Sequence, residues 1–183
     1  FAMEHSGVEP DLMTVAKSLA GGFPLAGVIG KAAIMDAPAP GGLGGTYAAS
    51  PIGCAAGLAV LDAMEKEHLP ERASHIGNLI TTRLRALQQA HDCIGDVRSL
   101  GAMVAMELVK QGRADEPDAV LTTELVQSAA RNGLVLLSCG KYKNVVRFLV
   151  ALTASDAIVT EGLDILERTL AELRPPAARQ KQA

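Results

Sequence analysis

The sequence predicts an α/β chain in two parts. Three observations carry this. Short apolar runs of strand length at residues 12–16, 25–29, 134–137 and 145–150 are interleaved with helical patterns from residue 51 and at 70–91, 118–132 and 155–173. The glycines are uneven: 11 of the 18 fall in residues 1–57, a stretch with only two basic side chains, Lys17 and Lys31. The pattern then changes near residues 67–72, where the charges Glu65-Lys66-Glu67 and a proline, Pro70, interrupt an apolar helix.

In chain order, the runs at 12–16 and 25–29 read as buried strands. The segment between them holds Gly21-Gly22 and Pro24, which signal a turn. Lys17 therefore stands at the end of the first strand. Gly41-Gly42-Leu43-Gly44-Gly45-Thr46-Tyr47 reads as a flexible loop. Ser50-Pro51 opens a helix, with serine as N-cap and proline in the first turn. That helix is apolar nearly all round, which predicts that it is buried. Residues 70–91 are amphipathic, with Ala73, Ile76, Ile80, Leu84 and Leu87 on one face. Residues 97–108 suggest a strand or hairpin, and Asn132-Gly133 closes the helix at 118–132. Leu163, Leu166, Leu170 and Leu173 mark the inner face of the last helix. The predicted parts are 1–68, 69–174 and a short polar tail at 175–183.

Composition narrows the function. Aromatics make up 3% of the chain and Trp is absent, so the stacking faces that bind single-stranded nucleic acid are missing. The net charge of −3 opposes binding to a phosphate backbone. The longest uncharged run, residues 37–61, holds six Gly and three Pro and does not read as a membrane span. The cysteines Cys54, Cys93 and Cys139 show no metal or disulfide spacing, and the four histidines are scattered. No metal is expected. His5, His68, His75 and His91 read as surface or helix residues, and Cys139 as a buried thiol. No secretory pattern is visible, and a reduced, cytoplasmic setting is expected.

Three residues could carry chemistry. Lys17, at the edge of an apolar strand beside glycines, is either a desolvated amine able to act as a nucleophile or a strand-end lysine reaching water. Gly45-Thr46 lies in a loop that could offer N–H groups and a hydroxyl to an anion, or could be a plain turn. Arg147 is the one charge in Val145-Val146-Arg147-Phe148-Leu149-Val150. It calls for a carboxylate or phosphate partner, which could be a substrate or an internal acid such as Glu107 or Asp96. Asp96 and Arg98 share one strand face and read as a local pair.

Several phrases together resemble one family. They are Phe1-Ala2-Met3-Glu4-His5-Ser6-Gly7-Val8-Glu9-Pro10-Asp11-Leu12, Ala16-Lys17-Ser18-Leu19-Ala20-Gly21-Gly22-Phe23-Pro24, Gly42-Leu43-Gly44-Gly45-Thr46-Tyr47, Gly95-Asp96-Val97-Arg98-Ser99-Leu100-Gly101, Leu136-Leu137-Ser138-Cys139-Gly140 and Asn144-Val145-Val146-Arg147. In this order, through about residue 172, they resemble the class III aminotransferases, which depend on pyridoxal 5'-phosphate (PLP). The likeness is greatest to the subfamily acting on 4-aminobutyrate.

The resemblance implies a fold-type I PLP-transferase. The chain would hold the end of the large-domain sheet with its linking helix, and a smaller α+β C-terminal domain. It implies that Lys17 carries the cofactor as a Schiff base and moves the substrate proton. It implies that Thr46, with Gly45, reaches the phosphate of a neighbouring subunit's cofactor, hence a homodimer with shared sites. It implies that Arg147 binds a substrate carboxylate. The expected reaction passes the amino group of an ω-amino acid, 4-aminobutyrate first, to 2-oxoglutarate. Alternatives are an ornithine-type or other ω-amine donor, or a non-catalytic dimerisation module. The resemblance also implies that cofactor-binding segments precede Phe1, so that these 183 residues alone are expected not to bind PLP productively. Three departures stand out: Ala151 where the family commonly has Pro, Ala49-Ser50 where Gly-Asn is typical, and the basic Lys141-Tyr142-Lys143.

Overall fold

A computed structural model describes residues 1–174. The predicted tail at 175–183 lies outside the described residues. The chain divides into two compact units, Phe1–His68 and Leu69 onward.

In the first unit, strands β1 (Leu12–Val15) and β2 (Gly27–Gly30) pair antiparallel, Leu12 opposite Gly30 and Val15 opposite Gly27. A 3-10 turn, Lys17–Ala20, joins them and ends on Gly21 in the left-handed region at φ 61°. A one-turn helix α1 (Ala32–Met35), not anticipated from the sequence, follows β2. Helix α2 (Pro51–Lys66) then packs its small residues inward. A Cβ on Gly57 would come within 3.0 Å of Leu25 Cδ2, so glycine sets how closely this helix approaches.

Two expectations for α2 need correction. Pro51 does occupy the first turn, but the Ser50 side chain makes no capping hydrogen bond. The helix is also not buried all round. Only Gly53 and Gly57 are buried, while Ile52 and Leu58 are each 66% exposed. The first unit has one thin layer for this helix to pack on, which covers the glycine face and leaves the rest open.

The second unit has a larger core. Its helices are α3 (Leu69–Ala90), α4 (Ala119–Arg131) and α5 (Asp156–Leu173). Its strands are β3 (Ile94–Leu100), β4 (Met103–Lys110), β5 (Arg113–Pro117), β6 (Leu137–Cys139) and β7 (Val145–Leu149). The strands lie in the order β3-β4-β7-β6, all antiparallel, and β5 pairs with β4. The alternation of β4 turns Val104, Met106 and Leu108 inward against Ile80, Leu84, Leu125, Leu166 and Leu170, all buried in one cluster. The leucines predicted to line the last helix do so: Leu163, Leu166 and Leu170 are buried, and Leu173 packs at the margin.

The hairpin expected over 97–108 turns at Gly101, φ 52°. That turn touches α3 at Gly77, where a Cβ would lie 2.0 Å from Gly101 O. The strand expected at 134–137 begins instead at Leu137. The backbone N–H of Leu134 is taken by Ala129 O at 2.8 Å, closing α4, so this stretch finishes the helix before it can join the sheet. His91, read as a surface or helix residue, directly follows α3 and is 4% exposed.

Candidate active site

Lys17 follows an extended Ala16 and adopts φ 57°, inside the left-handed region. For a residue with a Cβ this costs about 1–2 kcal/mol, and such conformations concentrate at functional sites. The residue stands where the 3-10 turn begins, two residues after β1 ends at Val15. Lys17 is exposed rather than desolvated among the described residues. The other lysine of this region, Lys31, is held by Asp11 at 2.8 Å. Lys17 makes no ion pair among the described residues.

Gly45 and Thr46 lie in an exposed loop that turns back on itself through Ala48 N–H to Gly45 O at 3.0 Å. A Cβ at Gly44 or Gly45 would meet nothing within 4 Å, so one side of this loop is open. Neither the Thr46 hydroxyl nor its N–H has a partner among the described residues. Ala49, where the resembling family has Gly, sits at φ 53°.

Arg147 is in the second unit, on the sheet face turned away from the helices. Its strand neighbours Val146 and Phe148 point into the core, while Arg147 is exposed. It lies opposite Ala105 on one side and Leu137 on the other. Ala105 is in turn opposite Arg98. The structure thus brings Arg98 and Arg147 into one cross-strand row. Lys17, Gly45 and Thr46 belong to the first unit and Arg147 to the second.

The internal acids considered as partners for Arg147 are both engaged elsewhere. Arg98 Nη1 donates to Asp96 Oδ2 and, at 2.9 Å, to Glu107 Oε2. Asp96 first, then Glu107, raise the Arg98 pKa further. Asn144, 2% exposed, donates to Glu107 Oε1 at 3.2 Å and to Leu108 O at 3.0 Å. Arg147 makes no ion pair among the described residues. Sequence reasoning had paired Asp96 with Arg98 but missed Asn144, whose signal is its place directly before the arginine strand. Cys139 is half-buried and unpaired, not fully buried as expected.

The donors present suit an organic phosphate aldehyde: a reachable primary amine at a strained turn, and an open glycine loop ending in a hydroxyl. Among the described residues no group of acidic, His or Cys side chains could hold a metal, and no helix is long and apolar enough to cross a membrane.

The model of the class III aminotransferase family matches residues 1–170. The chain belongs to this family. Among curated class III relatives, it is 55% identical over 173 residues to 5-aminovalerate aminotransferase DavT of Pseudomonas putida. It is 54% identical over 174 residues to 4-aminobutyrate aminotransferase GabT of Escherichia coli. These matches cover 94% and 95% of the chain but 40% and 41% of the relatives, so the chain spans about two fifths of their length. Among solved structures, an acetylornithine aminotransferase from Elizabethkingia anophelis superposes with a TM-score of 0.81 at 31% identity, covering 93% of this chain and 43% of that one. A phospholyase from Arthrobacter in complex with phosphoethanolamine gives 0.85 at 28% identity, covering 93% and 41%. These neighbours place the chain in the fold-type I architecture of class III aminotransferases.

Proposed function

We propose that this chain supplies the lysine, the phosphate-loop threonine and a carboxylate-binding arginine of a PLP-dependent transaminase for ω-amino acids. The reaction passes the terminal amine of a donor, 4-aminobutyrate first, to 2-oxoglutarate. The observation that carries this reading is Lys17: a reachable amine in a strained turn of a chain 54–55% identical to relatives named for 4-aminobutyrate and 5-aminovalerate.

In this reading Lys17 Nζ would hold the cofactor at its aldehyde carbon, and the same amine would carry a proton to and from the substrate carbon. Thr46 Oγ1 and the Gly45 N–H take phosphate oxygens. That phosphate would belong to a cofactor held by a second copy, so the working assembly is a homodimer. The cofactor, when bound, supplies an electron sink. Arg147 offers a planar fork that matches a carboxylate and fixes the end of the substrate distant from the reacting amine. An open-face guanidinium with no internal partner among the described residues does not favour a purely structural role. A cytoplasmic location belongs to the same reading.

Donors of four and five carbons differ by one methylene, worth about 1–3 kcal/mol of discrimination. Both therefore belong in the test, with ornithine as the alternative donor. The purified full-length protein carrying this sequence is assayed with each donor and 2-oxoglutarate. The reading expects 4-aminobutyrate to give the highest kcat/KM. A higher value with ornithine would move the substrate to the alternative class. No transfer from any donor would leave the non-catalytic dimerisation module.

A further inference from the structure

Strand β7 is five residues long, and its apolar pattern fixes its register only in part. Val146 and Phe148 face the helices and are buried, and Val150, next on that side, packs at the margin of the same core. A slip of one residue would drive Arg147 into this core, so the pleat opposes it. A slip of two residues keeps each residue on its own face. It would carry Arg147 about 7 Å along β4 from its place opposite Ala105. It would also put Val146, Phe148 and Val150 where Asn144, Val146 and Phe148 now stand. Two of these three exchanges are apolar for apolar. The third replaces Asn144.

Asn144 opposes that slip. Glu107 pairs with Val145, so Asn144 meets Leu108, the next residue of β4. Its carbonyl accepts the Leu108 N–H at 2.7 Å. The bond back to Leu108 O comes from the Asn144 side chain, whose Nδ2 donates at 3.0 Å. Lys143, directly before it, is at φ 54°. Leu108 O also accepts the Asp118 N–H at 3.0 Å, which joins this point to the start of α4. The same Asn144 amide donates to Glu107 Oε1 at 3.2 Å, and Glu107 Oε2 accepts from Arg98 on β3 at 2.9 Å. Asn144 is buried, so its amide has little water to turn to if these bonds are lost. Valine in its place could make neither side-chain bond.

We propose that Asn144 is a positioning residue: it locks β7 in register on β4 and so sets where Arg147 stands on the open face. This rests on the reading of Arg147 as a carboxylate-binding residue.

The test uses the full-length holoenzyme carrying this sequence. In Asn144→Leu the KM for 2-oxoglutarate should rise about tenfold, within the roughly hundredfold that misplacing a group by about 1 Å can cost, with kcat little changed. Asn144→Asp keeps the shape and removes both N–H donors, so it should raise KM at least as much. The Leu108 amide should exchange with solvent faster in both variants. A merely structural residue would lower kcat or the amount of bound cofactor and leave KM alone, and that result overturns the proposal. So does a raised KM with Leu108 exchange as slow as before. Should Asn144→Leu not fold, Asn144→Asp decides on the same two readings. Arg147→Leu separates the two levels. If it leaves the KM for 2-oxoglutarate unchanged, the reading of Arg147 falls. If it raises that KM and neither Asn144 variant does, only the role of Asn144 falls.

Discussion

Ala49 shows how a single residue records a departure from its family. It sits at φ 53° just past the Thr46 loop, a conformation that glycine adopts freely. The resemblance places Gly there. Holding alanine in this region costs about 1–2 kcal/mol, partly offset by the smaller entropy that alanine loses on folding, about 0.4–1 kcal/mol. Ala49→Gly should therefore stabilise the chain by about 0.5–1 kcal/mol, read as a shift in denaturant midpoint at unchanged slope. A destabilisation would show that the loop does not hold this backbone. Site residues were legible in the sequence to different depths. Arg147 stood out as a lone charge in an apolar strand, and its exposure on the open face agrees with that signal. Lys17 was placed at the strand end, but its positive φ and exposure depend on the turn and on which neighbours cover it. Periodicity carries neither. The pairing of Glu107 was invisible because a carboxylate with two diagonal arginines has no sequence rule that chooses between them.

At the scale of elements, α3 and α5 are fastened by charges on their outer faces. Arg83 bridges Asp164 and Glu167, and Arg72 bonds Asp156 as well as the carbonyls of Leu152 and Ala154. His75 Nε2 meets Asp156 Oδ2 at 2.7 Å. His75 first, then Arg72, hold the Asp156 carboxyl below its usual range. A carboxylate with a depressed folded-state pKa adds stability above its unfolded value and loses it as pH falls through the folded value. Asp156→Asn should therefore lower Tm at pH 7, and the gap to the wild type should shrink at pH 3. An equal gap at both values would assign the loss to packing or to the α5 N-terminus. Exposure keeps the effect small. The helices themselves were legible, because apolar spacing over four or more turns reports the buried face directly. The strand at 134–137 was misplaced because hydrophobicity does not say whether a backbone N–H goes to a helix end or to a sheet. Strand β5, Arg113–Pro117, has almost no apolar pattern and gave no signal.

For the whole molecule, the contrast between the two units matters most. The second unit buries a continuous cluster between one sheet face and three helices, and leaves the other sheet face to Arg98, Arg147 and their neighbours. The first unit has two four-residue strands and a helix whose apolar side is open. The prediction that α2 is buried failed for this reason: an apolar sequence states what a helix can pack against, not what the chain provides. Family membership and the α/β fold class followed from ordered motifs, which carry more information together than any one of them. The central claim is that Lys17 is the residue that bonds the cofactor. Its most direct test is borohydride reduction of the purified full-length protein loaded with pyridoxal phosphate, followed by peptide mass mapping. The account predicts a phosphopyridoxyl group on the peptide containing Lys17 and its loss in Lys17→Ala. A label on another lysine, or none at all, would contradict it.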